Sequence, residues 1–214
     1  MSIVTIRGQL GSGAPEIGRR IASRIHADYV DREIIAQVAE RLEAKPEEVI
    51  AREMPPGSLL GRIAEALGHS YIADLGFSGA YLPAWQIPLG DTRYLQALES
   101  VIRELARSQP IVIRGRGSQF ILRDHPDALH VLVVAPLDLR VKRVMQSGKL
   151  EEKAAKQEIA RFDGSRHEFI KRYFDAEMED PVYYDLIVNT QPFGFDAATS
   201  IIVDALRSKE ETAA

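Results

Sequence analysis

The stretch that decides the fold runs Gly8-Gln9-Leu10-Gly11-Ser12-Gly13-Ala14-Pro15-Glu16-Ile17-Gly18. It follows the short apolar run Ile3-Val4-Thr5-Ile6 and leads into an amphipathic pattern, so the order is strand, glycine turn, helix. Glycines let a backbone approach an anion closely, and a helix N-terminus adds a positive partial charge. The stretch therefore predicts a phosphate-binding loop.

Two positions of this loop depart from the Walker A pattern G-x-x-x-x-G-K-[ST]. Ala14 stands where the pattern has the lysine that reaches the β- and γ-phosphates. Pro15 stands where it has the hydroxyl that holds magnesium. The anion is thus expected on backbone groups, without the usual cation of the loop. The residues assigned to phosphate binding are Gly8, Gly11, Ser12, Gly13 and Ala14.

The composition is that of a globular protein without a nucleic-acid or disulfide signature. The 214 residues are 45% hydrophobic and 27% charged, with a net charge of -4, which favours one folded domain over 1–214 and argues against nucleic-acid binding. No cysteine is present, which excludes disulfides and thiolate metal sites. None of the five histidines forms an H-x-x-x-H pair, and no metal site is predicted. Neither a signal-peptide pattern nor a membrane-length apolar run is found, so a cytoplasmic protein without membrane contact is expected.

Short apolar runs alternate with helical patterns along the chain. The predicted strands are 3–6, 27–31, 110–115, 129–134 and 186–188. The predicted helices include 17–25, 34–42, 94–105, 138–146, 150–177 and 197–206, with a frayed tail from Ser208. This alternation predicts a five-stranded parallel sheet flanked by helices on both sides. Right-handed crossovers then bring the glycine loop, Asp31, Arg116 and Asn189-Thr190 to one edge of the sheet.

Residues 45–90 read as an insertion. Helices are predicted from Pro46 and from Ser58, whereas 69–90 shows no clean periodicity. Because a loop of this length is usually functional, it is expected over the ligand side. As an equal alternative, the aromatic residues of this stretch are expected to fill a small satellite core.

Several further motifs complete a resemblance to a known family. These are Gly11–Gly18, Asp31-Arg32-Glu33, Ile111–Gly117, Arg140–Arg143 and Tyr184-Asp185-Leu186-Ile187-Val188-Asn189-Thr190. As a set they resemble the cytidylate kinase-like family of P-loop proteins, over roughly residues 1–40 and 90–207. The family loop, Gly-Ser-Gly-Gly-Arg-Glu-Ile-Gly, also lacks the lysine, but Pro15 replaces its arginine. The resemblance implies the three-layer sandwich of P-loop nucleoside triphosphate hydrolases, with a helical lid at about 150–178.

The resemblance also implies an activity. It is a phosphotransferase that moves the γ-phosphate of ATP to a nucleoside monophosphate or similar small acceptor, with ATP and Mg²⁺ as cofactors. Arginines suit this chemistry because their planar forks bind phosphate oxygens. The catalytic candidates are Arg116 and the lid arginines Arg161, Arg166 and Arg172. The acceptor-binding candidates are Asp31, Arg116 and Asp185, with Asn189-Thr190 better placed than Asp185 to touch a base or phosphate.

Alternatives stay open for some of these residues. Asp31 is equally suited to cap the following helix. The lid arginines could belong to a solvated helix face with ion pairs such as Asp163 to Arg166. With lysine and hydroxyl both absent, the protein is either a nucleotide kinase or a weak or inactive relative that acts as a nucleotide- or protein-binding regulatory module. Its partner is a nucleotide or other small phosphorylated ligand, and a homo-oligomer is compatible with the sequence.

Overall fold

Strands and helices alternate in this computed structural model, which describes residues 2–31, 33–46, 49–50 and 91–213. The strands are β1 Ile3–Gly8, β2 Asp28–Val30, β3 Ile111–Arg114, β4 Ala128–Val134 and β5 Leu186–Asn189. The helices are α1 Ala14–Ile25, α2 Glu33–Arg41, α3 Asp91–Ser108, α4 Ser118–Ile121, α5 Leu137–Gly148, α6 Glu152–Phe174 and α7 Phe195–Ala213. A short 3₁₀ turn covers Pro181–Tyr183.

The five strands form one parallel sheet in the order β2-β3-β1-β4-β5. Register pairs Ile6 with Arg114, Gly8 with Val133, and Val134 with Asn189. All carboxyl ends therefore meet at one edge, and β1 is the central strand. The predicted fold class, a five-stranded parallel sheet flanked by helices, is confirmed, and the glycine loop lies at the middle of the carboxyl edge.

Both faces of the sheet are covered, as the nearly continuous apolar runs predict. On one face, Ile6 of β1 packs with Ile17 of α1 and Ile202 of α7 in a single buried cluster. On the other face, Ile3 of β1 and Ile113 of β3 are also fully buried. The core thus packs α1 and α7 on the same face of the sheet.

The chain divides into two compact units. The first comprises Met1–Asp31, Ile102–Asp163 and Glu179–Ala214 and contains the whole sheet. The second comprises Arg32–Val101 and Gly164–Met178. In it, Tyr94 is fully buried and its ring lies 5.1 Å from that of Tyr173. The single domain over 1–214 stays a prediction, and most of the insertion predicted at 45–90, with the stretch 69–90, lies outside the described residues.

The end of the chain is more ordered than the sequence predicts. The prediction of a frayed tail from Ser208 is wrong, because α7 continues to Ala213. Lys209 Nζ donates to the carbonyl of Ala128 at 2.7 Å and to Asp185 Oδ2 at 2.9 Å. Ser2 Oγ donates to Glu210 Oε1 at 2.6 Å. These bonds fix the last turns of α7 to the amino edge of the sheet. Among the helices of the described ranges, none is long and apolar enough to cross a membrane.

Candidate active site at the carboxyl edge

The loop between β1 and α1 has a backbone that requires glycine at two positions. Gly11 and Gly13 have φ of +81° and +97°, in the left-handed region that L side chains rarely adopt. A Cβ on Gly11 would lie 2.7 Å from the carbonyl oxygen of Arg140, and one on Gly13 would overlap the ring of Phe195. The two glycines therefore let α5 and α7 pack directly on the loop.

The loop leads into the N-terminus of α1, where backbone donors are available. Gly13 is the N-cap, and its carbonyl accepts from Ile17 N at 3.0 Å, which begins the helix. The N–H groups of the first turn have no acceptor within the helix, and the helix dipole adds positive potential there. Pro15 contributes no N–H, so Ala14 and Glu16 supply the donors of this turn. This arrangement suits an anion.

Ser12 faces the interior of the protein instead. Its residue is fully buried, and its Oγ has no hydrogen-bond partner within the described residues. A Cβ added to Gly8 would overlap this Oγ, which places the hydroxyl over the end of β1. Ser12 N donates to the carbonyl of Gln9 at 3.0 Å. Ser12 thus shapes the loop through its backbone.

Two arginines of α5 bind the carbonyl side of the loop. Arg143 Nη1 donates to the carbonyl oxygens of Gly11 and Ser12, both at 3.1 Å. Arg140 Nη1 lies 3.4 Å from the carbonyl of Leu10. Three successive carbonyls therefore face α5. The sequence motif that contains these arginines predicts no role for them, although their i, i+3 spacing just after a strand end is a signal of a shared helix face.

Thr190 ties the end of β5 to the same loop. Its N–H donates to the carbonyl of Val134 at 2.9 Å, and its Oγ1 donates to the carbonyl of Ser12 at 2.8 Å. Arg143 Nη1 reaches Thr190 Oγ1 at 2.8 Å, and its guanidinium lies 4.8 Å from the centre of the Phe195 ring. Burial lowers the pKa of Arg143. The structure thus brings Thr190 to the loop, at the edge where the sequence placed it.

Asp163 reaches the loop from α6. Its Oδ1 accepts from Leu10 N at 3.0 Å, and its Oδ2 accepts from Arg140 Nη1 at 2.6 Å. The ion pair shown by the structure is therefore with Arg140, whereas the sequence alternative paired Asp163 with Arg166. Because Arg140 is separated from Asp163 by 23 positions, helical spacing could not indicate this pair.

A second polar group lies at the ends of β2 and β3. Asp31 Oδ2 accepts from Arg114 Nε at 2.8 Å and Nη2 at 2.7 Å. Asp31 Oδ1 accepts from Arg116 Nη1 at 3.0 Å, and all three side chains are less than one fifth exposed. Gly115 N donates to the carbonyl of Ile6 at 3.1 Å, which joins this group to β1. Asp31 and Arg116, predicted to share one edge, are in direct contact.

Arg116 has an unusual backbone. Its φ is +53°, between Gly115 at +76° and Gly117 at +68°. A left-handed conformation costs a residue with a Cβ about 1–2 kcal/mol. Strain of this kind persists where the surrounding structure imposes it, and it is frequent at functional sites. The conformation aims the guanidinium at Asp31, which supports a specific role for Arg116.

The remaining predicted site residues are Asp185, Arg161, Arg166 and Arg172. Asp185 precedes β5 at the amino edge, about 13 Å along the strand from Asn189. Its carboxylate accepts hydrogen bonds from His130 N and from Lys209 Nζ. Both bonds join elements of the fold, so the structure gives this carboxylate a structural role. Arg161 is in the first unit and pairs with Glu158 at 2.5 Å. Arg166 and Arg172 belong to the second unit, where Arg172 lies over the ring of Tyr173.

Metal-binding side chains are not clustered among the described residues. No group of three His, Cys, Asp or Glu suited to a metal ion occurs within the described part of the chain. Asp31 directs both of its oxygens to arginines. The backbone donors of the loop fit a phosphate, whereas side-chain ligands for Mg²⁺ are not found among these residues.

A parallel sheet whose central strand ends in a glycine turn and a helix N-terminus is the arrangement of nucleotide-binding α/β proteins, the P-loop kinases among them. The model of the cytidylate kinase-like family matches residues 3–192, and the chain belongs to this family.

Cytidylate kinases are among the relatives of this chain. A cytidylate kinase of Halobacterium salinarum is 29% identical over 110 residues, which are 51% of this chain and 57% of the relative. The chain thus spans less than two thirds of that protein. A cytidylate kinase of Ignicoccus hospitalis is 21% identical over 202 residues, 94% of this chain and 97% of the relative. An uncharacterized protein of Eubacterium ventriosum has a similar solved structure, with a TM-score of 0.67, 20% identity and coverage of 97% of this chain and 99% of its own. That likeness shows the fold.

Proposed function

We propose that this protein transfers the γ-phosphate of ATP to a nucleoside monophosphate or a similar small acceptor. The observation that carries the proposal is the placement of two groups at one sheet edge. The amide-lined loop follows β1, and the Asp31–Arg116 pair lies at the ends of β2 and β3. Two strand spacings separate β1 from β2, about 10 Å, a distance suited to a donor phosphate beside an acceptor.

Phosphoryl transfer needs positioning and charge neutralisation more than covalent chemistry from the protein. The backbone of Gly8, Gly11, Ser12, Gly13 and Ala14 would hold the donor phosphates. Arg116 would bind the acceptor with Asp31, and Arg161, Arg166 and Arg172 are proposed as lid arginines. Mg²⁺, implied by the family, would be held by the nucleotide's phosphates and would offset their charge. A cytoplasmic location is part of the proposal, because ATP and nucleoside monophosphates are available there.

Transfer of labelled γ-phosphate from ATP across a panel of nucleoside monophosphates tests the proposal. At least one acceptor should be labelled, and Arg116→Gln should lower the rate on the order of 100-fold, as loss of a transition-state cation does. Arg123→Gln is the matched control, because Arg123 is 75% exposed and pairs only with its neighbour Asp124 in the described chain. If no acceptor is labelled above background, the kinase proposal fails.

A weak or inactive relative that acts as a regulatory module is the second candidate. Ala14 and Pro15 favour it, because a missing pre-positioned cation costs on the order of 100-fold to 1000-fold in rate. Calorimetry with ATP, combined with the phosphate-transfer assay, separates the two candidates. Binding without transfer would support the nucleotide-binding module, and the absence of both would exclude the kinase and this module alike.

A further inference from the structure

One ion pair, formed by Asp163 and Arg140, contacts both the N–H and the carbonyl of Leu10. Asp163 Oδ1 accepts from Leu10 N at 3.0 Å, while Arg140 Nη1 lies 3.4 Å from the Leu10 carbonyl. Asp163 and Arg140 are joined at 2.6 Å, and their side chains are 22% and 10% exposed. Hydrogen bonds to charged groups are stronger than neutral ones, and partial burial reduces their screening. Both backbone polar groups of Leu10, the N–H and the carbonyl, are therefore held in place.

The side chain of Leu10 is anchored in the same place. It packs on a buried cluster formed by Val141 and Val144 of α5 with Ala155 and Ile159 of α6. The next residue, Gly11, lies directly against the backbone of Arg140. Leu10 is thus attached to α5 and α6 by hydrogen bonds of its backbone and by apolar packing of its side chain.

We propose that Asp163 is a positioning residue for the phosphate-binding loop, and that it links the loop to α6. By holding the N–H of Leu10, it keeps the following peptides turned so that their carbonyls meet the α5 arginines and the N–H groups of Gly13 and Ala14 stay available. Arg140 neutralises the carboxylate, which would otherwise repel a phosphate held by the loop. Asp163 acts through Leu10 and does not touch the nucleotide. The inference rests on the proposed function only where nucleotide is used as a probe.

Amide hydrogen exchange measured by NMR tests the anchoring without nucleotide. In Asp163→Ala, exchange of the Leu10 N–H should accelerate about tenfold or more, since a charge-assisted bond is lost. Asp163→Asn keeps an oxygen acceptor and should give a smaller acceleration. Glu152→Gln on α6 is the matched control, because it removes an exposed ion pair with Lys156 on the same helix. Unchanged Leu10 exchange in Asp163→Ala would overturn the anchoring.

Calorimetry with ADP and steady-state kinetics test the consequence for the loop. Asp163→Ala should raise the Kd for ADP and the KM for ATP about tenfold, because small displacements of binding groups are costly. The KM of the acceptor should stay within about twofold, since the acceptor group lies at other strands. Arg140→Met should weaken ADP binding more than the double variant with Asp163→Asn, because it leaves the carboxylate unneutralised.

The outcomes separate the two proposals. Suppose that Leu10 exchange is faster in Asp163→Ala, but that the wild-type protein neither binds ADP nor transfers phosphate. That result would refute the proposed function and leave the anchoring intact. Equal rises in donor and acceptor KM, or an ADP Kd equal to that of Glu152→Gln, would show that Asp163 stabilises the fold without positioning the loop.

Discussion

Pro15 removes two groups from the first turn of α1, a backbone N–H and the side-chain cation found in the family loop. Pro15→Arg should lower the Kd for ATP about tenfold, because a charge-assisted hydrogen bond to phosphate is gained. Pro15→Ala restores only the N–H and should give a gain of about twofold to threefold. Calorimetry gives both constants. If the Pro15→Arg variant binds ATP no more tightly than Pro15→Ala, a missing cation does not limit ATP binding by the loop.

Arg116 offers a test of backbone strain that is independent of function. Arg116→Gly and Arg116→Ala both lose the ion pair with Asp31, but only alanine keeps a Cβ at φ +53°. The glycine variant should therefore be the more stable by about 1 kcal/mol in urea unfolding. At Arg103, an exposed position inside α3, the order should reverse, with alanine more stable by about 1 kcal/mol. A more stable alanine variant at position 116 would contradict the strain.

At the scale of elements, local pattern predicts most of what the structure shows. Apolar runs of strand length identified all five strands within a few residues, and the glycine turn placed the start of α1. The end of α7 escaped prediction because its order depends on Lys209 reaching Ala128, 81 positions away. From sequence alone, a polar helix end that is held by distant partners cannot be told from one that frays.

The candidate site shows the same limit. Asp31 and Arg116 were predicted to share an edge because parallel strands align their carboxyl ends. Asp185 was grouped with them through its motif, but the length of β5 separates it from that edge. Arg140 and Arg143 were overlooked because their contacts follow from how closely α5 packs on Gly11, which is a tertiary property. Sequence locates groups along the chain, and packing decides which of them meet.

At the scale of the whole molecule, the sheet separates two kinds of polar group. The carboxyl edge carries the glycine loop with its arginines, and the amino edge carries Asp185 and Lys209, which secure α7. Between them, within β4, lies His130. Its Nδ1 is 2.8 Å from Thr5 Oγ1 on the neighbouring strand, and the residue is only 7% exposed. His130 is thus a packed residue of the sheet.

His130 should make the stability of the whole fold depend on pH. Burial lowers its pKa below the ordinary value of 6.5; Asp185 opposes this shift, while Lys209 and His125 add to it. The unfolded chain therefore binds a proton more readily than the folded one, so stability is full above about pH 6.5 and declines as the pH falls toward the folded pKa. The pKa of Asp185 is lowered too: burial opposes the shift, but bonds from His130 N and Lys209 outweigh it, so its contribution is lost only below about pH 3.8.

Urea unfolding of the wild type and of His130→Gln, between pH 8 and pH 5, measures this dependence. The wild-type free energy of unfolding should fall by about 1.4 kcal/mol for each unit by which the pKa of His130 in the unfolded chain exceeds that in the folded protein, once the pH is below both values. His130→Gln should be less stable at pH 8 and should lose that part of the slope. His26→Asn is the control, because His26 is exposed at the end of α1 and asparagine tolerates its left-handed backbone. It should keep the wild-type slope, whereas an unaltered slope in His130→Gln would show that another group titrates.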